Sequence, residues 1–125
     1  MAESDLLHSN ITKQIIGAAL EVHSSLGSGF LESVYEEALA IELDLRGISY
    51  ERQKGIDIFY KGKKAKQFIC DFLIEKLVLV ELKAIREITA VEEAQLLNYL
   101  KATGIKVGLL INFGQSSLKY KRLVF

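Results

Sequence analysis

Asp71, Glu81 and Lys83 are charged residues set inside apolar segments, Cys70-Asp71-Phe72-Leu73-Ile74 and Leu77-Val78-Leu79-Val80-Glu81-Leu82-Lys83. A strand with apolar residues on both faces belongs to the covered part of a sheet, where an unpaired carboxylate or ammonium is costly. Such charges survive where they pair or where they perform chemistry. Alternation along a strand sends Glu81 and Lys83 to one face and Val80 and Leu82 to the other. Alone, Glu81 and Lys83 would read as a structural ion pair. Asp71 on the neighbouring strand adds a second carboxylate, and two carboxylates at close range repel unless a cation lies between them. Hard oxygen ligands with room left for water and phosphate suit Mg²⁺ or Mn²⁺.

The two acids meet only if both reach one face of the sheet. A two-residue turn at Glu75-Lys76 would pair Ile74 with Leu77 and Asp71 with Val80, which turns Asp71 away from Glu81. A three-residue turn pairing Ile74 with Val78, or a β-bulge between the acids, brings them together.

The elements that carry these residues follow from hydrophobic period. From Leu6 to Leu26, apolar residues at Ile11, Ile15, Ala18, Ala19 and Val22 predict an amphipathic helix, with Asn10 or Ser9 available as cap. His8 and His23 lack the spacing of a zinc site and read as surface or cap residues. Gly27-Ser28-Gly29 breaks this helix, and a second is expected from near Phe30 to Gly47. In it Glu32 and Tyr35, three apart, share a face, although a first-turn Glu also has a purely structural use at a helix amino end.

Beyond Tyr50 the period changes to that of strands. Ile56 to Tyr60 alternates, Lys61-Gly62-Lys63 turns, and strands from about Gln67 to Ile74 and from Leu77 to Ala84 complete an antiparallel meander. Thr89 or Ala90 opens a third helix, with Val91, Ala94, Leu97 and Leu100 as its expected packed face and Gly104 as its stop. Gln95 and Tyr99, four apart, share another face of it. Their ordinary reading is a half-buried phenol and an amide in a hydrogen-bond network. Lys106 to Phe113 reads as a buried strand and Leu118 to Phe125 as a basic edge strand.

The 125 residues fit one domain spanning 1–125, with residues 1–9 expected to lack order. Sixteen basic and sixteen acidic residues cancel, which argues against a strongly non-specific nucleic-acid binder. The distribution is uneven: eight acids face Lys13 alone between Glu3 and Asp44, whereas six bases face two acids between Glu51 and Lys66. That basic run is either a solvated hairpin tip or a rim that meets phosphate. A lone cysteine, Cys70, excludes an internal disulfide and any zinc or iron–sulfur centre built on Cys, and points to a reducing, cytoplasmic setting. The acidic amino end and the lack of a long apolar run predict an unexported protein with no membrane span. Exposed apolar residues on the last strand make a homodimer conceivable.

Taken in order, Glu32 on a helix, Asp71 on a strand, Glu81-Leu82-Lys83 on the next strand and Gln95-Leu96-Leu97-Asn98-Tyr99 on a following helix resemble the PD-(D/E)XK nuclease superfamily, in particular its RecB-type branch. Gly29-x-x-Glu32-x-x-Tyr35 is similar to the motif of the small GxxExxY proteins grouped with that superfamily. Cys70 stands where many members have proline. The resemblance implies an α/β restriction-endonuclease-like core, a central mixed sheet of about five to six strands flanked by helices. The expected order is two helices, four strands, a helix and two strands. It implies Asp71, Glu81 and the Leu82 main-chain carbonyl as ligands of Mg²⁺ or Mn²⁺, with Glu32 completing the shell through water or helping with a second ion. Lys83 would orient or deprotonate the attacking water, and Gln95 and Tyr99 would reach phosphate or the carboxylates. Tyr35, Lys61, Lys63, Lys64 and Lys66 would touch nucleic acid, DNA before RNA. The implied reaction is phosphodiester hydrolysis; the alternative is a nuclease-fold module that binds or assembles without cleaving.

Overall fold

A computed structural model describes residues 7–125. Residues 1–6, most of the stretch expected to lack order, lie outside the described residues, and Ser9 already belongs to the first helix. Helix α1 spans Ser9–Leu26 and buries Ile15, Ala18, Ala19 and Val22 on one stripe. Neither Ser9 nor Asn10 caps it: His8 occupies that position in a left-handed conformation (φ 55°) and gives no side-chain cap. Helix α2, Glu32–Leu45, packs beside it and buries Tyr35, Leu39, Ala40 and Leu43.

Strands β1 (Tyr50–Tyr60) and β2 (Lys63–Ile74) form a long hairpin. Lys61 and Gly62, both left-handed (φ 48° and 78°), make its two-residue turn, as the twist of a tight hairpin requires. Strand β3 (Val78–Lys83) follows, then helix α3 (Ala90–Thr103), strand β4 (Val107–Asn112) and strand β5 (Lys119–Val124). Thr89 and Glu92 form a reciprocal capping box at the start of α3. Its first turn is thereby fixed by sequence.

The five strands lie in one sheet in the order β1-β2-β3-β4-β5, antiparallel throughout except for the parallel β3–β4 pair that α3 connects. Three strands, not four, therefore precede α3, because the residues from Tyr50 to Tyr60 form a single strand. Helices α1 and α2 cover one face of the sheet, over Phe72, Ile74, Val80 and Leu82; α3 covers the other, over Cys70, Leu73, Leu79 and Leu110. All six residues of β4 are buried, as expected of a strand covered on both sides.

The packed face of α3 differs from that expected. Leu96, Tyr99 and Leu100 are buried, while Val91 and Ala94 face solvent. Gly108 on β4 accounts for this rotation: a Cβ there would sit 3.0 Å from Leu96 Cδ2, so the bare backbone gives Leu96 its seat. His23 also departs from expectation. It is buried against Phe113, and its Nε2 lies 2.9 Å from the Gln115 carbonyl.

Candidate metal centre

The turn between β2 and β3 has three residues, and Ile74 pairs with Val78. Glu75 and Lys76 adopt left-handed backbone (φ 54° and 61°), which costs an L-residue about 1–2 kcal/mol. The turn is held from outside itself: Glu75 N–H donates to the Ser49 carbonyl at 2.9 Å, and Ser49 N–H donates to Glu75 Oε1 at 3.0 Å. With this register the pairing runs Ile74–Val78, Leu73–Leu79 and Phe72–Val80, so Asp71 arrives opposite Glu81.

At that point the two strands part. Regular β2–β3 pairing ends at Phe72–Val80, beyond which β2 pairs only with β1 and β3 only with β4. The acids take over the main-chain groups that the fork would leave bare. Leu82 N–H donates to Asp71 Oδ2 at 2.7 Å, and Asp71 N–H donates to Glu81 Oε1 at 3.2 Å. Each carboxylate is thus clamped to the opposite strand. On the far side of Asp71 the β1–β2 pairing passes over Gln53, which is left-handed (φ 52°) in the middle of a strand. Such a residue persists only where its surroundings hold it, and it sits here beside the carboxylate pair.

The electrostatics follow from this placement. Burial, then the charge of Glu81, pushes the Asp71 carboxyl up to about 8, against the opposing hydrogen bond from Leu82 N–H. Burial also raises Glu81, while the Asp71 main chain and side chain and then the Lys83 ammonium favour its charged form. Buried Cys70, whose thiol lies 3.3 Å from the Val80 carbonyl, is likewise pushed up by burial and by both carboxylates. Tyr99 on α3 is raised to about 12 by burial and next by Glu81, with a Gln95 hydrogen bond opposing. Direct contacts join Asp71 and Glu81 across the fork, with Lys83 on the same strand as Glu81, while Gln95 and Tyr99 lie on α3 and line a neighbouring groove.

A second acid of α2, not singled out in the sequence, also bears on the centre. Glu36 adds its charge to the upward shift of Asp71, after burial and Glu81. Its oxygens accept from Arg52 Nη2 at 2.5 Å and from Gln53 Nε2 at 2.5 Å, which ties α2 to the distorted segment of β1. Glu32 is exposed in the first turn of α2 with no hydrogen bond or ion pair, and among the described residues no group of three or more His, Cys, Asp or Glu side chains could by itself hold a metal ion. Tyr35 is corrected as a nucleic-acid contact. It is fully buried, stacks on Phe113 at 4.5 Å, donates to the Gly27 carbonyl at 2.6 Å and accepts from Phe30 N–H at 3.3 Å. The Gly29-x-x-Glu32-x-x-Tyr35 pattern thus has a structural logic: the phenol pins the interhelical turn from within. Lys61, Lys63, Lys64 and Lys66 lie exposed at the hairpin tip.

Sequence reasoning also missed Asn112, buried at the end of β4 opposite Lys83. Its Oδ1 accepts from Ile85 and Gly114 N–H at 3.0 Å each, and its Nδ2 donates to the Ile85 carbonyl at 2.9 Å. With the Phe113 N–H to Lys83 carbonyl bond of 2.8 Å, it fixes the backbone on which Lys83 stands. Asn at the end of an apolar strand was the available signal.

The model of the PD-(D/E)XK nuclease superfamily matches residues 9–123. The chain belongs to the PD-(D/E)XK nuclease superfamily. This PD-(D/E)XK chain also resembles in fold the crystal structure of SSO0001, with a TM-score of 0.59 at 18% identity. The likeness covers 94% of this chain and 59% of that one, so the chain spans less than two thirds of the length of its structural neighbour. No curated protein matches the sequence. No helix among the described residues is long and apolar enough to cross a membrane.

PD-(D/E)XK nucleases generally use divalent metals, and the residues present fit one. Two carboxylates are clamped across the fork, and burial, the first cause for both, raises them, a cost that a bound cation would offset. The donors are all hard, as Mg²⁺ and Mn²⁺ prefer.

Proposed function

We propose that the chain is a metal-dependent nuclease of the GxxExxY type that hydrolyses phosphodiester bonds, in DNA before RNA, at the Asp71–Glu81 fork. The observation that carries this reading is the reciprocal clamping of the two carboxylates across the parting strands, with Lys83 two residues beyond Glu81 on the same strand. Asp71, Glu81 and the Leu82 carbonyl would hold Mg²⁺ or Mn²⁺; bound there, the ion supplies charge to neutralise the scissile phosphate and to acidify a water.

The protein's own groups supply position and proton control. Lys83 projects its ammonium beside Glu81 and holds the attacking water in line with phosphorus. The water oxygen forms the new bond to phosphorus as the bond to the leaving ester oxygen breaks, giving a phosphate monoester and an alcohol. Gln95 and Tyr99 donate to phosphate oxygens from the α3 side. Glu32, exposed in the first turn of α2, would complete the shell through water; Glu36, tied to Arg52 and Gln53, holds the fork's outer strand. The exposed lysines of the hairpin tip meet the backbone of the substrate. The free edge of β5 is where a second copy would pair, and the cytoplasm is the compartment in which Cys70 stays reduced.

The test is cleavage of single-stranded, duplex and branched DNA by purified protein with Mg²⁺ or Mn²⁺, beside Asp71→Ala and Lys83→Ala. Metal-dependent cleavage lost in both variants is expected. Equal traces in all three proteins would indicate a contaminating nuclease and refute cleavage at this centre.

A further inference from the structure

Past the fork, the β1–β2 arm leans over α3 and leaves a groove of about 540 Å³ between them. Ile58, Phe59 and Phe68 form its wall on the arm, and Gln95, Asn98 and Tyr99 form its wall on α3. We propose that this groove receives an unpaired nucleic-acid strand, whose bases stack on Phe59 and Phe68 and whose backbone continues to Asp71 and Glu81. The proposal deepens the nuclease reading, and the strand's destination rests on it.

Four observations support a strand of this chemistry. The groove lies on the α3 side of the sheet beside the candidate centre: Tyr99, which lines it, packs in one cluster with Cys70 and Leu79, next in the chain to Asp71 and Val80. Its aromatic rings are accessible: Phe59 is 62% exposed and Phe68 36%, which leaves ring faces for bases of any sequence. The amides of Gln95 and Asn98 offer donors and acceptors to base edges that duplex pairing would hide. The volume lies within the range of about 300–1,000 Å³ typical of small-ligand pockets, so it admits bases while a duplex rests on the rim.

Charge favours the same occupant. Lys66 holds its ammonium 5.7 Å from the Phe68 ring centre, and Lys101 lines the far end of the groove. Asp57, the one acid in the lining, is compensated by Lys64 at 3.2 Å and by Gln67 at 2.8 Å. Phosphate is attracted to such a rim, whereas a second copy would bring an equally basic arm against it.

Fluorescence anisotropy in EDTA tests the groove without cleavage. The probes are a labelled single-stranded DNA, the same sequence as single-stranded RNA, and the blunt DNA duplex. Tighter binding of a single strand than of duplex is expected, and the better of the two single strands identifies the sugar. Phe59→Ala and Phe68→Ala should each weaken single-strand binding by about 5- to 150-fold, the value of one base–aromatic stack, and leave duplex binding unchanged. Phe68 also packs on Tyr99 at 5.7 Å, so exposed Phe59 is the deciding position, with Phe59→Tyr expected to retain affinity and melting curves run on every variant. Duplex bound as tightly as single strand, or single-strand affinity untouched by Phe59→Ala, would overturn the proposal. So would a dimer that Phe59→Ala dissociates while oligonucleotide binding persists. Strand-selective binding without metal-dependent cleavage would sink the nuclease reading and leave the groove; cleavage without strand preference would do the reverse.

Discussion

Replacing Asp71 by Asn should stabilise the metal-free protein while abolishing its response to metal. Asp71 releases its proton near about 3.9 when unfolded and near about 8 in the fold. Between those values the native state holds a proton that the unfolded state has lost, so stability falls as pH rises through that window and levels off above it. Each pK unit corresponds to about 1.4 kcal/mol. Taken whole, the displacement would amount to about 5–6 kcal/mol, but Asp71 is only partly buried, and solvent screening reduces the expected loss to about 2–3 kcal/mol. Asp71→Asn keeps an oxygen for Leu82 N–H and removes the charge, so it should be more stable than wild type near pH 8 by about that amount. The assay is urea unfolding from about pH 5 to about pH 8.5, in EDTA and with Mg²⁺ or Mn²⁺. In wild type, metal at about 100 times its Kd should add about 2.7 kcal/mol, and most at the alkaline end; in Asp71→Asn it should add little. Metal-free stability that is flat or rises across the window, or metal stabilisation equal in both proteins, would refute the account of the fork as a cation site.

Other substitutions probe the supports of the centre. Lys83→Met should lower cleavage by about 10²–10⁴-fold, the usual weight of a proton-handling group, while the stabilisation by metal persists in unfolding curves. Lys76→Gly should raise stability by about 1 kcal/mol, since glycine adopts its left-handed backbone without strain. Glu75→Ala should lower stability by about 0.5–1.5 kcal/mol by removing the bond to Ser49 N–H. Gly114→Ala should fail to fold normally, because its Cβ would lie 2.3 Å from the Ile85 carbonyl oxygen; the loss of signal dispersion in an NMR spectrum reads this directly.

The placement of the two acids was legible in the sequence because strand chemistry is local. Charges inside apolar strands announce themselves, alternation assigns their faces, and Asp71, Glu81 and Lys83 could be placed with only the turn length undetermined. The helices were less legible because their faces are chosen by distant partners. The seat of Leu96 depends on Gly108, and the burial of Tyr35 and His23 depends on Phe113 and Gln115, far along the chain. Glu36 and Glu37 look alike as surface acids of α2 until Arg52 and Gln53 are brought beneath them. The left-handed Gln53 had no signal at all, since glutamine has no preference for that conformation.

The three residues from Glu75 to Leu77 give the protein an odd kind of vulnerability. They contribute nothing to the groove or to the carboxylate pair, and their side chains could be exchanged at modest cost. Their number is another matter. Removing one would leave every residue of the centre in place along the chain and every strand with its apolar content, yet it would turn Asp71 to the opposite side of the sheet from Glu81. In this chain the spacing of an exposed loop acts as a stereochemical setting. Insertions and deletions there should silence the protein more readily than almost any substitution at the same positions.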